Sequence, residues 1–216
     1  MKAKPAMKLF THPGASSLSV HILLREIGAS FALEVVDVSL KRRPDGSDYR
    51  AIAPRGMVPL LLLEDDTWLT ENIVIAQYLC ERFGRDDLLP AAGTMERYRV
   101  LEWQSFTAAE LHKSFVPLRW PLDERARAVA LERIEGRLAQ AERDLVGPFL
   151  TGATFTAADA YFFVIASWTR YFKISLAPFP RIAALLRLVG RRPSVAAAIG
   201  AEGQGLVTID ETIPLP

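Results

Sequence analysis

The sequence predicts an α/β domain followed by an all-helical domain, and three observations support this. The stretch from Met7 to Ile22 is typical of a strand, a tight loop and the opening of a helix. The apolar run 31–38 is typical of a second strand, so the chain opens with a βαβ unit and a parallel strand pair. Beyond residue 93, strand signals are missing until the last few residues, while helical periodicity continues. We therefore expect domains over 7–85 and 94–216, joined by a linker over 86–93.

The elements of the first domain follow from local signals. A helical pattern runs from Ser16 to Ile27, and Gly28 is placed to end it. Residues 60–64 and 67–70 flank an Asp-Asp turn and predict a hairpin. Thr70 is a plausible N-cap for a helix over 71–83. The expected order is close to β-α-β-β-β-α.

The second domain reads as a series of helices. One long helix is expected from Met95 to Phe115, and a second from Asp123 to Val146 with an apolar stripe. Thr156 and Asp159 form a capping-box variant at the start of a very apolar third helix. Pro180 and Pro193 each suit the first turn of a shorter helix.

Composition excludes several classes of function. The 216 residues are 50% hydrophobic, and 26 Lys and Arg against 25 Asp and Glu give a net charge of +1, so no global field attracts nucleic acid or an anionic membrane. The apolar runs are far shorter than the roughly 20 residues that span a bilayer. We expect a cytoplasmic protein, with translation starting at Met1 or Met7. No metal site is expected, and the single Cys80 reads as a buried hydrophobic residue.

Two serines stand where the first helix opens. The first backbone N–H groups of a helix have no partner within it, so an anion beside Ser16 and Ser17 would be stabilised. Ser16 and Ser19 hold the positions where a thioredoxin-like redox protein carries C-x-x-C, which excludes dithiol exchange. Local sequence alone favours an N-cap serine. The alternative is a hydroxyl that stabilises a thiolate brought by a ligand.

Other polar residues are weak signals when taken singly. A cis Val58-Pro59 bond would leave the Val58 backbone free to pair with an extended peptide ligand. Glu71 and Asn72 open a helix, where the helix dipole alone explains a carboxylate. His112 shares a predicted helix face with Ser105 and Ala109, and a structural or surface role is the more frequent one for such a histidine. The aromatic residues are most often core, although one or two could line a pocket for apolar substrates.

Five motifs, taken together and in order, resemble the cytosolic glutathione transferases, most closely the bacterial beta class. They are Phe10-Thr-His-Pro-Gly-Ala-Ser-Ser-Leu18, Gly56-Met-Val-Pro59, Leu69-Thr-Glu-Asn72, Glu110-Leu-His-Lys-Ser-Phe115 and Phe155-Thr-Ala-Ala-Asp-Ala-Tyr161. The resemblance runs from Met7 to about Leu206. It implies a thioredoxin-like N-terminal domain, an all-helical C-terminal domain and a homodimer.

The resemblance also implies a glutathione site. The Val58 backbone would pair with the cysteinyl amide, and Pro59 would be cis. Glu71 and Asn72 would take the γ-glutamyl end and Lys41 the glycyl carboxylate. The residues that complete the expected site are His112 and Lys113, which close it, Ser105 near it, and Phe115, Trp120 and Trp168 in the pocket for the hydrophobic substrate. Ser16 or Ser17 would stabilise the glutathione thiolate, which attacks an apolar electrophile.

The sequence departs from the beta class at the centre of this site. That class usually has cysteine where this chain has Ser16, so no mixed disulfide with glutathione can form there, and a serine-type transferase is expected. Ser105 and Ala109 stand where asparagine and serine are usual, and Asn72 replaces a serine. Two alternatives stay open: a glutathione-dependent isomerase or lyase, and a protein that binds glutathione or apolar ligands without turnover.

Overall fold

The computed structural model describes residues 7–203 and residue 207, and these form two compact units. The first unit combines the described residues of Met1–Leu79 and Gly190–Pro216, and the second is Cys80–Val189. The last described helix thus belongs to the first unit, whereas the sequence analysis assigned all of 94–216 to one helical domain. The expected domain boundaries stay a prediction. The strand signals near the C-terminus lie mostly outside the described residues.

A four-stranded sheet organises the first unit. Its strands are β1 (Lys8–Thr11), β2 (Ala32–Val35), β3 (Leu60–Leu62) and β4 (Trp68–Thr70), in the spatial order β2-β1-β3-β4. The β1–β2 pair is parallel, and the β1–β3 and β3–β4 pairs are antiparallel. The predicted βαβ unit and hairpin are therefore confirmed, although β2 is shorter than the apolar run 31–38.

Side-chain alternation along β1 creates two apolar layers. Leu9 packs with Val20 and Leu24 of helix α1 (Leu18–Ile27) and with Ile75 of helix α2 (Asn72–Arg82). Phe10 points to the opposite face of the sheet and packs with a second cluster that includes Tyr49. This is the period-two pattern of a strand that is covered on both faces. Gly28, in the left-handed conformation at φ 75°, ends α1 as predicted.

Helix α2 begins differently from the prediction. Thr70 is the last residue of β4, so its expected role as the N-cap is wrong. Glu71 follows with φ 70°, and its carbonyl accepts the hydrogen bond of Ile75 N–H at 3.0 Å. A non-glycine residue in the left-handed region costs about 1–2 kcal/mol. The sharp reversal at Glu71 is thus held in place by the strand before it and the helix after it.

The second unit consists of helices. They are α3 (Met95–Phe106), a π-helical segment (Thr107–His112), α4 (Lys113–Phe115), a 3-10 turn (Val116–Arg119), α5 (Glu124–Asp144), α6 (Ala157–Tyr171) and α7 (Pro180–Gly190), which ends at the unit boundary. Helix α8 (Pro193–Glu202) lies in the first unit and packs on α1. Pro180 and Pro193 begin helices as predicted. No helix in the described part of the chain is long and apolar enough to cross a membrane.

The predicted long helix continues to Phe115, but its geometry changes within it. Residues 107–112 form i→i+5 hydrogen bonds, which widen each turn relative to an α-helix. The shared face predicted for Ser105, Ala109 and His112 assumed 3.6 residues per turn throughout. That assumption fails across this segment. Ser105 and Ala109 are exposed, whereas His112 is half-buried.

The capping box at the start of α6 is confirmed. The Asp159 carboxylate is buried and accepts hydrogen bonds from Thr156 N–H at 2.8 Å, Thr156 Oγ1 at 2.7 Å and Leu150 N–H at 2.8 Å. One side chain therefore ties the preceding loop to the first turn of a helix that is buried over most of its length.

We expect Asp159→Ala to lower the free energy of unfolding by about 2 kcal/mol or more, because three buried donors lose their partner. Asp123→Ala is the matched control: this exposed N-cap of α5 accepts one bond, from Ala126 N–H at 2.7 Å, and its loss should cost about 1 kcal/mol. Urea denaturation at neutral pH measures both. Equal losses in the two variants would contradict the role assigned to Asp159.

Candidate functional site

The loop between β1 and α1 is fixed by Ser17. Its side chain is fully buried, and its Oγ lies 2.8 Å from Thr11 Oγ1 and accepts from His12 N–H at 3.3 Å. Ser17 occupies the N-cap position of α1 but makes no side-chain capping bond. The N-cap interpretation is therefore wrong for Ser17, because its hydroxyl holds the loop instead of a helix N–H.

Ser16 lies in the same loop, but its hydroxyl has no hydrogen-bond partner among the described residues. The residue is 6% exposed, and no group in 7–203 or at 207 hydrogen-bonds to its Oγ. Its carbonyl accepts from Ser19 N–H at 3.1 Å and from Ser19 Oγ at 2.8 Å. The hydroxyl of Ser16 is thus available to a ligand at the opening of α1.

Ser19 connects the openings of two helices. Besides its bond to Ser16, its Oγ lies 2.9 Å from Asn72 Oδ1, at the first residue of α2. Ser19 itself is buried, and Asn72 is half-buried. Two of the residues predicted to contact a ligand, Ser16 and Asn72, are therefore joined through one hydroxyl. The sequence analysis placed Ser19 only at the second position of a missing C-x-x-C and gave no signal for this link.

A buried carboxylate from α8 stabilises the same loop. Glu202 accepts hydrogen bonds from Thr11 Oγ1 at 2.8 Å, Gly14 N–H at 3.2 Å and His21 Nδ1 at 3.0 Å. The other ring nitrogen of His21 lies 3.2 Å from Arg25 Nε, so both ring nitrogens of this buried side chain have a hydrogen-bond partner. Sequence reasoning missed Glu202, because a lone glutamate at a helix end carries no signal of such a role.

The segment before Pro59 includes backbone groups of Val58 that could pair with a ligand. The Val58-Pro59 bond is cis, as the resemblance implied. Tyr49 Oη donates to the Met57 carbonyl at 3.1 Å, and Lys41 Nζ donates to the Gly56 carbonyl at 2.8 Å. Within the described chain, neither the N–H nor the carbonyl of Val58 takes part in a backbone hydrogen bond. A ligand in extended conformation could pair with both.

Glu71 is exposed beside Asn72, and its carboxylate lies 3.2 Å from Arg55 Nη1. Both side chains of this ion pair are mostly exposed to solvent, so the pair is weak and can open for another cation. The left-handed backbone of Glu71 is a conformation that clusters at ligand sites. The sequence gave no signal of this conformation.

His112 lies in an aromatic environment in the second unit. Its Nδ1 lies 3.1 Å from Tyr161 Oη, and its ring packs edge-on against Trp168, with the ring centroids 5.0 Å apart. Burial lowers the pKa of His112 to about 4, and the charges of Lys113 and Arg119 add to this effect. His112 is therefore neutral at pH 7. Lys113 and Ser105, predicted beside it, are exposed.

The three aromatic residues predicted to line a pocket differ in exposure. Trp120 is exposed, whereas Phe115 and Trp168 are buried and pack edge-to-face, with ring centroids 5.8 Å apart. In this structure Phe115 and Trp168 are thus core side chains that support His112. Their contact with a substrate stays a prediction.

The single cysteine is buried in a helix of the described chain. Burial raises the pKa of Cys80 to about 12, which agrees with its interpretation as a buried hydrophobic residue. Among residues 7–203 and 207, no group of three or more histidines, cysteines or carboxylates comes together to hold a metal ion.

The pKa of His112 makes stability depend on pH in a defined direction. Between about pH 6.5 and 4 the unfolded chain binds a proton at this site that the folded chain does not, so the folded state loses stability as the pH falls. We expect His112→Phe, which cannot titrate, to lose less stability than the wild type between about pH 7 and 4.5. Urea denaturation at a series of pH values measures this. The same pH slope in both proteins would show that His112 is protonated normally.

Comparison with known proteins identifies the family. Residues 15–82 match the model of the glutathione S-transferase N-terminal domain, and residues 109–201 match that of the C-terminal domain. The glutathione S-transferase GstA of Escherichia coli O157:H7 is 41% identical over 199 residues, which cover 91% of this chain and 99% of that protein.

Two solved structures agree in fold over nearly the whole chain. A sphingomonad glutathione S-transferase complexed with glutathione is 39% identical with a TM-score of 0.86, covering 92% of this chain and 100% of that one. A beta class glutathione S-transferase from Sphingomonas chungbukensis is 37% identical with a TM-score of 0.85, covering 91% and 98%. With its thioredoxin-like sheet, its helical unit and these relatives, the chain belongs to the glutathione S-transferase family.

Proposed function

We propose that this protein is a serine-type member of the beta class that conjugates glutathione to small hydrophobic electrophiles. The observation that carries the proposal is the Ser16 hydroxyl, to which no group among the described residues hydrogen-bonds. The carbonyl of the same residue is joined to the Asn72 side chain through the Ser19 hydroxyl. The Ser16 hydroxyl at the opening of α1 could donate a hydrogen bond to a thiolate, and the Asn72 amide lies at the opening of α2. Only the Ser19 side chain separates these two residues. That spacing suits a ligand with a thiol and a polar end, and glutathione has both.

Ser16, rather than Ser17, donates to the sulfur in this proposal. The Ser17 hydroxyl is fully buried and already contacts Thr11 and His12, whereas the Ser16 hydroxyl has no such contact. An unperturbed thiol has a pKa of about 8.5, and a hydroxyl donor together with a helix N-terminus lowers it. More of the bound glutathione is then thiolate at neutral pH.

Backbone and charged groups of the first unit hold the tripeptide. The Val58 backbone pairs with the cysteinyl amide, and Pro59 completes that segment. Glu71 exchanges Arg55 for the γ-glutamyl ammonium, Asn72 binds the γ-glutamyl carboxylate, and Lys41 binds the glycyl carboxylate. The family resemblance adds His112, Lys113 and Ser105 to the residues that would contact glutathione, and Phe115, Trp120 and Trp168 to those that would contact the apolar substrate.

The reaction follows from this placement. The thiol proton passes to solvent, and the sulfur electron pair attacks an electrophilic carbon, for example that of an aryl chloride. A carbon–sulfur bond forms, the carbon–chlorine bond breaks and chloride leaves. The protein contributes by holding the two reactants together and by stabilising the anionic sulfur.

We expect Ser16→Ala to lower the conjugation rate with an aryl chloride by about 10- to 100-fold at neutral pH, since it removes one hydrogen bond to a charged atom. The pKa of bound glutathione, read from the ultraviolet absorbance of the thiolate, should rise in the same variant. Ser17→Ala should act less on the thiolate pKa and more on stability, because its hydroxyl holds the loop.

Ser175→Ala, an exposed serine that accepts a bond from Ala177 N–H, is the control and should leave the rate unchanged. An unchanged rate in both the Ser16 and Ser17 variants would refute the serine-type site. Tight glutathione binding in calorimetry without turnover on several electrophiles would instead favour a carrier.

We propose that the protein forms a homodimer. Met95 and Tyr98 stand three residues apart on the first turns of α3 and are 62% and 54% exposed, which leaves two large apolar side chains on one helix face. A second copy of the chain would cover them. The proposed cytoplasmic location rests on the sequence alone.

Replacing both Met95 and Tyr98 by Glu should convert the dimer to a monomer, because two carboxylates cannot be buried unpaired at an interface. Size-exclusion chromatography with light scattering measures the mass. Val129→Glu, at an equally exposed apolar residue of α5, should leave the dimer intact. A monomeric wild type would contradict the proposed assembly.

A further inference from the structure

We propose that Gly56 is a positioning residue for glutathione recognition. Because it has no side chain, it leaves room for the Lys41 side chain to lie against the loop that precedes Pro59. The inference rests on the proposed function and deepens it at the glycyl end of the ligand. Gly56 has no side chain that could bind a ligand, so its role depends on the side chain that lies against it.

Lys41 is fixed at its backbone by a short turn. Asp37 Oδ1 accepts from Ser39 N–H at 2.8 Å and from Leu40 N–H at 2.9 Å, and the Lys41 carbonyl accepts from Tyr49 N–H at 2.8 Å. Lys41 itself adopts φ 57°, an uncommon conformation for a residue with a side chain. The backbone of Lys41 is therefore held in one orientation, and only its side chain could still move.

The side chain of Lys41 is placed by Gly56. Its ammonium donates to the Gly56 carbonyl at 2.8 Å, and its stem occupies the space next to a Cβ of residue 56. A Cβ on residue 56 would lie 2.8 Å from Lys41 Cδ and 3.2 Å from Lys41 Cε. Real contacts between carbon atoms do not come this close. The lysine stem is flexible, so it would swing away and carry the ammonium with it.

The backbone of the loop beneath Lys41 is held by hydrogen bonds on both sides of Gly56, so it would not move away from an added methyl group. Gly56 N–H donates to the Ala53 carbonyl at 2.6 Å, and the buried Tyr49 donates to the Met57 carbonyl at 3.1 Å. An added methyl group would therefore displace Lys41 more readily than the backbone. An ammonium has three protons, so Lys41 can keep its bond to Gly56 and still offer two protons to a carboxylate.

The test compares two glycines. Gly56 and Gly46 both have positive φ, 58° and 83°, so alanine strains the backbone at either position, but only at Gly56 would its Cβ meet a side chain. We expect Gly56→Ala to raise the KM and the calorimetric Kd for glutathione about tenfold while kcat at saturating glutathione stays within about twofold. Gly46→Ala should change neither value.

Two further measurements show that the effect passes through Lys41. Lys41→Ala should weaken glutathione binding, and Gly56→Ala added to it should cause no further loss. Glutathione esterified at its glycyl carboxylate should bind the wild type and the Gly56→Ala variant about equally, since neither can use the charge. A loss caused merely by a disturbed fold would appear with the ester as well.

The outcomes separate the two proposals. If the wild type does not bind glutathione, the proposed function fails. If the wild type binds glutathione but Gly56→Ala behaves like Gly46→Ala, the role of Gly56 is overturned while the function stands. The role of Gly56 is also overturned if Gly56→Ala weakens glutathione binding equally in the wild type and in the Lys41→Ala variant.

Discussion

The first unit depends on one buried carboxylate. Glu202 accepts hydrogen bonds from Thr11, Gly14 and His21, so a single side chain at the end of α8 satisfies donors from the end of β1, from the loop after it and from α1. A buried charge is tolerated only when it is paired or fully hydrogen-bonded, and Glu202 meets that condition through these donors. The loop that carries Ser16 is thereby fixed before any ligand arrives.

The hydrogen bonds continue from this carboxylate to the opening of α1. Thr11 also hydrogen-bonds to Ser17, whose hydroxyl holds the loop, whereas no group among the described residues hydrogen-bonds to the neighbouring Ser16 hydroxyl. The Ser19 hydroxyl likewise connects the openings of α1 and α2 through its hydrogen bonds to the Ser16 carbonyl and Asn72 Oδ1. Donors that are already oriented need no rearrangement when charge develops on a bound sulfur, and this is where such sites gain most of their effect.

Local patterns predicted most of the fold but less of the site. Gly28 and the capping box at Thr156 and Asp159 are each visible within a few residues. Signals of this kind predicted the βαβ unit, the hairpin and most of the helices. The link from Ser19 to Asn72 spans 53 residues and that from Gly14 to Glu202 spans 188, and no local pattern encodes such distances. The π-helical segment at 107–112 was missed because its composition does not differ from that of an α-helix.

The serines at positions 16 and 19 have a consequence under oxidising conditions, because each carries oxygen where a dithiol site carries sulfur. With serine at positions 16 and 19 and the single Cys80 buried as a protonated thiol, the chain offers no reactive thiol to peroxide or to glutathione disulfide. An enzyme with a cysteine at the first position could be trapped or overoxidised there. Ser16 is open to neither reaction, because a hydroxyl forms no disulfide and is not oxidised by peroxide as a thiol is.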